Sequence, residues 1–311
     1  MNIKEEGKKI WQIRKKINRK HIIILSFFMP LIVMIGCCIA FGVQPFGDNS
    51  LLIIDGLHQY MPFYSILYDK LKSGGSLFYS FRAGLGINFL SLYAYYLSSP
   101  LNLLILFFKK SQLNMAVSLI IVLKVAISGL TAGIYFSSKS KKPGLPVLMI
   151  SMAYALSSYM VGYCWNVMWL DAIMIFPIVM MGLEDLIDRK DGRLYCFALF
   201  YAFMICIFVV IWYILYSFKS VKQFFFRGIA FTFYSFLAAG MAAIMLIPAY
   251  LGIKQTASGE SMSLPEHSFL TNAADLLNRQ FAMWTPITHD NFDGNVNLYI
   301  GIFTSGAVST K

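Results

Sequence analysis

Long apolar runs alternate with short charged or turn-rich stretches along most of the chain. The first run covers residues 22–43 without a charged side chain. At about 1.5 Å per helical residue this run reaches about 33 Å, which is enough to cross the hydrocarbon core of a bilayer. Six further apolar runs occupy residues 87–108, 113–136, 145–161, 165–183, 194–216 and 227–250. The pattern predicts an all-α polytopic membrane protein.

Basic residues suggest which way the spans point. Residues 1–20 are strongly basic, so we expect a cytoplasmic N-terminus followed by a retained membrane span. The basic clusters at 139–142 and 189–193 should also be cytoplasmic. Both conditions hold if 113–136 runs inward, 145–161 outward and 165–183 inward.

The run at 87–108 cannot fully cross the membrane in this arrangement. Its composition favours an interfacial or re-entrant element, because it is interrupted by Tyr93, Tyr95, Tyr96, Ser98, Ser99 and Pro100. Residues 44–112 then form one large first extracytoplasmic loop that carries interfacial helices, within a membrane domain covering 21–250.

The sequence leaves the region 194–216 open. A single crossing places 251–296 inside the cell, whereas two short half-spans place it outside, and we favour the second arrangement. A new apolar run begins at 297 and stops before 311. We expect this last piece to be the start of an incomplete further span, so that the chain resembles a truncated protein or a fragment.

Composition agrees with a membrane protein. The chain is 58% hydrophobic and 13% charged, which excludes an ordinary soluble domain. Its net charge of +11 lies largely beside the apolar runs, so cytoplasmic anchoring explains the charge better than nucleic acid does. The five cysteines contain no CxxC pair, and apolar packing is their simplest role.

Asp55 is the first candidate for chemistry, because it follows four aliphatic residues at the mouth of the first span. A partly desolvated carboxylate there has the proton affinity that a general base needs. The alternative is a helix N-cap. Apolar residues at 57, 60, 61 and 64 predict an amphipathic surface helix, which Pro62 interrupts.

Two loops have a weaker pattern. Gly84 and Gly86 could let backbone N–H groups approach a phosphate with Arg82 supplying charge, although a flexible turn is the commoner role of such glycines. Residues 288–294 resemble a calcium loop, but His289 replaces its first aspartate and Ile300 its last glutamate, so we expect a hydrated loop.

Lys124 is the most unusual charge, because it lies near the middle of a span. A cation at that depth faces a polar cavity or an anionic partner, or else it snorkels to the surface. Trp165 and Trp169 fit an outer interfacial belt, with Asp171 about 9 Å below it along the helix. Asp171 and Lys124 could therefore form an ion pair in one outward cavity, with either a structural or a catalytic role.

Several blocks of sequence resemble one family. They are Asp55–Phe63, Leu77–Ser80, Gly84–Phe89, Tyr95–Asn102, Lys124 within its span, Trp169–Asp171 with Pro177, and Asn297–Tyr299 with Gly301. Together they resemble the bacterial YfhO membrane-protein family over nearly the whole chain. Members of this family are usually longer, so the resemblance implies that this chain is their N-terminal part.

The resemblance also implies a fold and a function. The family is similar to GT-C glycosyltransferases, which transfer sugar from a polyprenyl-phosphate donor on the outer membrane face, here to a cell-envelope polymer such as teichoic acid. It places the catalytic carboxylate at Asp55. We expect the substrate-binding residues to be His58, Gln59, Arg82, Lys124 and Asp171. Arg82 or Lys124 would stabilise the leaving phosphate, and Tyr60, Tyr64 or Tyr79 would stack on sugar, hold the prenyl chain or anchor the loop at the interface.

Other functions stay open on the sequence alone. The residues define no metal site, although a divalent metal held by Asp55 and Asp171 is a further hypothesis. A lipid or polysaccharide transporter would line its pathway with Lys124 and Asp171. A non-catalytic membrane fragment is the third alternative.

Overall fold

The computed structural model describes residues 18–83, 86–189, 191–201, 210, 213–214 and 220–254. Several expectations therefore lie outside the described residues: the basic segment before Asn18, the number of crossings within 194–216, the external segment 251–296 beyond Lys254, the calcium-like loop and the final apolar run.

Helices account for most of the described chain. The α-helices are α1 (Arg19–Ala40), α2 (Met61–Ser73), α3 (Phe89–Leu92), α4 (Leu113–Lys139), α5 (Leu145–Ala155), α6 (Ser158–Gly162), α7 (Val167–Arg189), α8 (Arg193–Tyr201) and α9 (Val221–Lys254). Shorter turns are π-helical at Gly56–Tyr60 and Tyr93–Leu97 and 3₁₀-helical at Pro100–Phe107 and Lys110–Gln112. A two-stranded antiparallel hairpin pairs β1 (Tyr79–Ser80) with β2 (Ile87–Asn88), with Tyr79 opposite Asn88.

Five helical segments of the described chain are long and apolar enough to cross a bilayer. They are Arg19–Ala40, Lys110–Lys139, Leu145–Gly162, Val167–Asp188 and Val221–Gly252. The prediction of an all-α polytopic membrane protein is therefore confirmed.

The interrupted run at 87–108 is bent. Phe89–Leu97 and Pro100–Phe107 meet at 101° across a short break. Pro100 cannot donate a backbone hydrogen bond, so a new helix begins there instead of continuing the first. This geometry fits a broken span or a re-entrant loop, in line with the sequence prediction of an interfacial or re-entrant element, and we call Phe89–Phe107 the bent element.

Helix α4 lies at the centre of the bundle and packs against α1, α5 and α7. Its contact with α1 depends on small residues. A Cβ atom on Gly129 would lie 2.2 Å from the carbonyl oxygen of Ser26, and one on Gly133 would lie 2.6 Å from the Ser26 Cβ. The two glycines therefore permit the close helix approach that small-xxx-small patterns allow in membranes.

We expect Gly129→Ala to lower stability. Alanine normally favours a helix interior over glycine, but here the added methyl meets backbone, and such overpacking typically costs about 1–3 kcal/mol. Gly36→Ala in α1 is the matched control, because nothing lies within 4 Å of its Cβ position. Thermal unfolding in detergent should show a lower Tm for Gly129→Ala alone. Equal shifts in both variants would contradict this packing.

Helix α7 is fixed to α4 at several depths. The Thr131 hydroxyl donates to the Met174 carbonyl at 2.6 Å, and farther along the helices Lys139 pairs with Glu184. A second apolar cluster joins α7 to α8 and α9 through buried residues such as Leu183, Tyr195 and Ala238. The bundle thus holds α7 rigidly, which matters because α7 carries Asp171.

The helix after Asp55 departs from the sequence prediction in two ways. Pro62 does not interrupt it, since the helix runs through Pro62 without a break, from the π-helical turn Gly56–Tyr60 into α2. The apolar face is also not a surface face, since Tyr60, Tyr64 and Leu67 are buried while Leu57 is 52% exposed. This face is part of the main core.

Candidate functional site

Asp55 occupies a half-buried position at the start of a π-helical turn. It is the N-cap residue by position, but its side chain makes no capping hydrogen bond. The carboxylate instead accepts a hydrogen bond from Gln59 Nε2 at 3.2 Å. Among the described residues it forms no ion pair. The carboxylate is therefore held in place by a neutral group and keeps acceptor capacity for another molecule.

His58 and Gln59 lie on the same turn as Asp55. His58 is exposed, whereas Gln59 is partly buried and points to the carboxylate. Gln59 thus contacts the predicted base directly, and His58 lies on the same helical turn.

The turn that carries Asp55 is pressed against the segment just before α7. A Cβ atom on Gly56 would lie 3.0 Å from the Cβ of Trp165, so only glycine permits this approach without displacement. At the other end of the turn, the Tyr60 hydroxyl donates to Asn166 Oδ1 at 2.6 Å. Burial raises the pKa of the Tyr60 phenol, and the charge of Asp55 raises it further, so Tyr60 remains a proton donor.

Lys124 is fully buried, with 0% of its side chain exposed. Its ammonium donates to the Val167 carbonyl at 2.9 Å and to Asp171 Oδ2 at 2.5 Å. The ion pair inferred from the sequence is confirmed, and Lys124 does not snorkel to a surface. The pair removes the high cost of a lone cation within the membrane.

Asp171 joins four elements of the fold. Its second oxygen, Oδ1, accepts hydrogen bonds from Ser99 at 2.8 Å and from Tyr201 at 3.0 Å. Ser99 lies at the break of the bent element and Tyr201 ends α8, so the carboxylate of α7 links both to Lys124 of α4. Asp171 is 14% exposed, which leaves one edge of this network open.

The three residues Trp165–Val167 bring the two parts of the site together. Trp165 contacts Gly56 and Asn166 accepts from Tyr60, while Val167 accepts from Lys124. We call this segment the junction. The turn bearing Asp55 and the buried Lys124–Asp171 pair therefore contact the same short piece of backbone.

Arg82 lies elsewhere. It pairs with Asp69, which also accepts a hydrogen bond from Lys110 at 2.5 Å. Asp69 is 14 positions after Asp55 on consecutive helical turns, about 20 Å along the helix. Hydrogen bonds from Lys110 and Arg82 lower the pKa of the Asp69 carboxyl, so this cluster stays ionised at neutral pH. The structure does not bring Arg82 to Asp55.

The aromatic residues predicted to contact substrate or the membrane interface differ in their exposure. Tyr60 and Tyr64 are at most 1% exposed, and the Tyr64 hydroxyl donates to Asn102, so neither offers a free ring face for stacking. Tyr79 is 46% exposed, so part of its ring is accessible for stacking. Trp165 is buried, which leaves Trp169 as the exposed member of the pair assigned to the interfacial belt.

Gly86 supports the turn interpretation of the glycine loop. Its φ is +119°, and a Cβ atom there would lie 2.0 Å from the Tyr79 hydroxyl, so the hairpin requires glycine at this point. Gly84 lies outside the described residues.

The metal hypothesis fits the geometry poorly. Both oxygens of Asp171 already accept hydrogen bonds from protein groups. In the part of the chain that the structure describes, no three His, Cys, Asp or Glu side chains converge as a metal-binding group.

Sequence reasoning missed the neutral partners of this site, namely Ser99, Asn102, Asn166 and Tyr201. The available signal for Ser99 and Asn102 was their position around the helix break at Pro100. Tyr201 had no such signal, because its role depends on where α8 folds back against α7.

Comparisons with known proteins give one match. A family model described as "Bacterial membrane protein YfhO" matches residues 26–305. The comparisons with curated proteins and with solved structures find no match.

Proposed function

The chain belongs to the YfhO family of bacterial membrane proteins, and from this premise we propose that it is a GT-C-like membrane glycosyltransferase. It transfers a sugar from a polyprenyl-phosphate donor to a cell-envelope polymer such as teichoic acid. The reaction takes place at the outer face of the bacterial plasma membrane, with the N-terminus in the cytoplasm. The polytopic fold and the chemistry available at Asp55 support this proposal.

The state of Asp55 is the observation that carries the proposal. Asp69 and Asp171 are each paired with a cation, whereas within the described ranges Asp55 accepts one hydrogen bond, from the neutral Gln59, and remains partly exposed. A carboxylate held in this way is able to accept a proton from a bound hydroxyl, as general-base catalysis requires. It is also mounted on a turn fixed at both ends by the junction.

The transfer step is a displacement at the anomeric carbon of the sugar. The acceptor hydroxyl oxygen forms the new glycosidic bond while its proton passes to Asp55. The bond between the anomeric carbon and the phosphate oxygen breaks, and its electron pair leaves with polyprenyl phosphate. Exposed His58 and partly buried Gln59 contact the donor or the acceptor beside the base.

Lys124 and Asp171 act in this proposal as positioning residues. The complete burial of Lys124 and its bonds to Asp171 and to the Val167 carbonyl support a positioning role better than direct contact with a substrate phosphate. The pair fixes Val167, and with it the junction residues that touch Gly56 and Tyr60. This arrangement holds the carboxylate of Asp55 in a defined position. Holding a catalytic group in position can supply a large part of an enzyme's rate acceleration.

Reconstituted vesicles test the proposal. The purified chain is given a polyprenyl-phosphate sugar with a radiolabelled sugar group, together with teichoic acid. We expect labelled polymer and free polyprenyl phosphate in equal amounts. Movement of the intact donor across the bilayer without labelled polymer would show a transporter instead. If neither labelled polymer nor movement of the donor is observed, the proposal is wrong for this chain.

A further inference from the structure

The hairpin between α2 and α3 presents an unusual aromatic surface. Phe78 is 72% exposed, Tyr79 46% and Phe81 80%, and the rings of Tyr79 and Phe81 pack edge to face with centroids 4.8 Å apart. The hairpin lies outside the five candidate spans, so membrane crossing does not explain these exposed rings. We call these three residues the aromatic face.

The aromatic face is held by defined contacts at its base. Lys70 Nζ donates to the Tyr79 carbonyl at 2.7 Å, and the Phe89 N–H donates to the Phe78 carbonyl at 3.0 Å. Arg82, directly after Phe81, pairs with Asp69 of α2. The three rings therefore point outward from an anchored hairpin.

The same contacts fix the hairpin's depth relative to the membrane. Asp69 bonds both Arg82 and Lys110, and Lys110 is the first residue of the candidate span Lys110–Lys139. The hairpin thus lies at the level where this span enters the bilayer. Phe107, three residues before Lys110, is 84% exposed and extends the apolar surface at that level.

Charge around the aromatic face has one predominant sign. Lys70 bonds the Tyr79 carbonyl, and Arg82 and Lys110 both pair with Asp69, so in these described contacts three cations meet one carboxylate. Exposed aromatic rings flanked by cations are typical of protein surfaces at the membrane interface, where the rings enter the upper acyl region and the cations meet lipid phosphates.

We propose that the aromatic face inserts into the bilayer interface on the side where span Lys110–Lys139 begins, with Arg82 and Lys110 contacting the headgroups of anionic lipids. The occupant of this surface is the lipid itself. Phenylalanine, which has no polar group, supplies two of the three rings, and this favours acyl chains over a polar polymer. The inference is independent of sugar transfer, and it gives the external loop a second attachment to the membrane.

Spin labelling tests the depth of the aromatic face. Phe81→Cys is labelled in a chain whose five cysteines are replaced, and the chain is reconstituted in vesicles of phosphatidylglycerol and phosphatidylethanolamine. Collision rates with oxygen, which concentrates in lipid, and with a water-soluble nickel complex are compared. Ile32→Cys in α1 is the lipid-facing control and Lys141→Cys after α4 is the aqueous control, both at exposed positions.

We expect the oxygen-to-nickel ratio at 81 to exceed that at 141 several-fold and to approach that at 32. A ratio at 81 equal to that at 141 would overturn the proposal. So would a label at 81 that ignores lipid and becomes immobile only when soluble teichoic acid is added, because the surface would then bind polymer.

A second measurement avoids dependence on the cysteine-free chain. Phe81→Trp and Lys141→Trp are made in the otherwise native protein, and brominated lipids are added. Added quenching relative to the native protein is expected for Phe81→Trp only. Equal quenching in both variants would again overturn the proposal.

Discussion

Replacing Asp55 with asparagine should reduce sugar transfer by about 10²–10⁴-fold, the range that removal of a general base typically produces. Asparagine has nearly the same size and keeps an oxygen that accepts from Gln59, so the turn should stay in place. What it loses is the capacity to take the proton of the acceptor hydroxyl. The loss should appear in kcat, because the amide still occupies the same volume beside the substrate.

Asp48→Asn is the matched control for this variant. Asp48 is an exposed carboxylate seven positions before the half-buried Asp55, outside the turn Gly56–Tyr60. Initial rates of labelled polymer formation are measured for both variants at equal amounts of folded protein. Transfer at the native rate in Asp55→Asn would exclude Asp55 as the base, and an equal loss in Asp48→Asn would show a general charge effect.

Loss of Lys124 alone should have the largest effect on stability. Lys124→Met leaves the Asp171 carboxylate without its cation in a nearly closed site, and breaking a buried pair in this way costs about 3–5 kcal/mol. Because 14% of Asp171 is exposed, we expect the lower part of that range. The variant should show a clearly lower Tm in detergent and less folded protein in the membrane.

The double variant Lys124→Met with Asp171→Leu separates charge from packing. Removing both charges leaves an apolar pair of similar volume, which is often close to neutral for stability. The double variant should therefore regain much of the Tm lost in Lys124→Met. If it unfolds at the same temperature as the single variant or lower, the ion pair is not what stabilises the junction.

Much of the architecture could be predicted from the sequence because lipid permits few solutions. The uncharged run at 22–43 is long enough to span, and a lysine in the middle of a span pointed to a polar cavity or an anionic partner, for which Asp171 was a candidate. The helix break near Pro100 could also be predicted, since proline and serine interrupt a helix through their own local backbone chemistry. These inferences depend on local sequence and on the cost of burying charge.

The errors have a common physical origin. Helical periodicity shows that Tyr60 and Tyr64 share a face, but it does not say whether that face meets solvent or packs in the core. In the structure both side chains are buried in the core. The binding role predicted for Arg82 stays a prediction, but its ion pair with Asp69 was not visible in the sequence because the two residues lie on different elements. Trp165 resembled a belt residue until the Gly56 turn covered it. Each of these contacts depends on which elements of the fold pack against one another, which local sequence does not determine.

If the turn bearing Asp55 performs sugar transfer at the outer membrane face, a reagent that stays outside the cell should stop the reaction there. The most direct test adds a membrane-impermeant maleimide to intact cells carrying His58→Cys in a cysteine-free chain, with Lys141→Cys as the control, and follows sugar transfer. Transfer should stop in His58→Cys and continue in Lys141→Cys. Transfer in His58→Cys that resists the external reagent, and fails only after the cells are permeabilised, would contradict a reaction at the outer face.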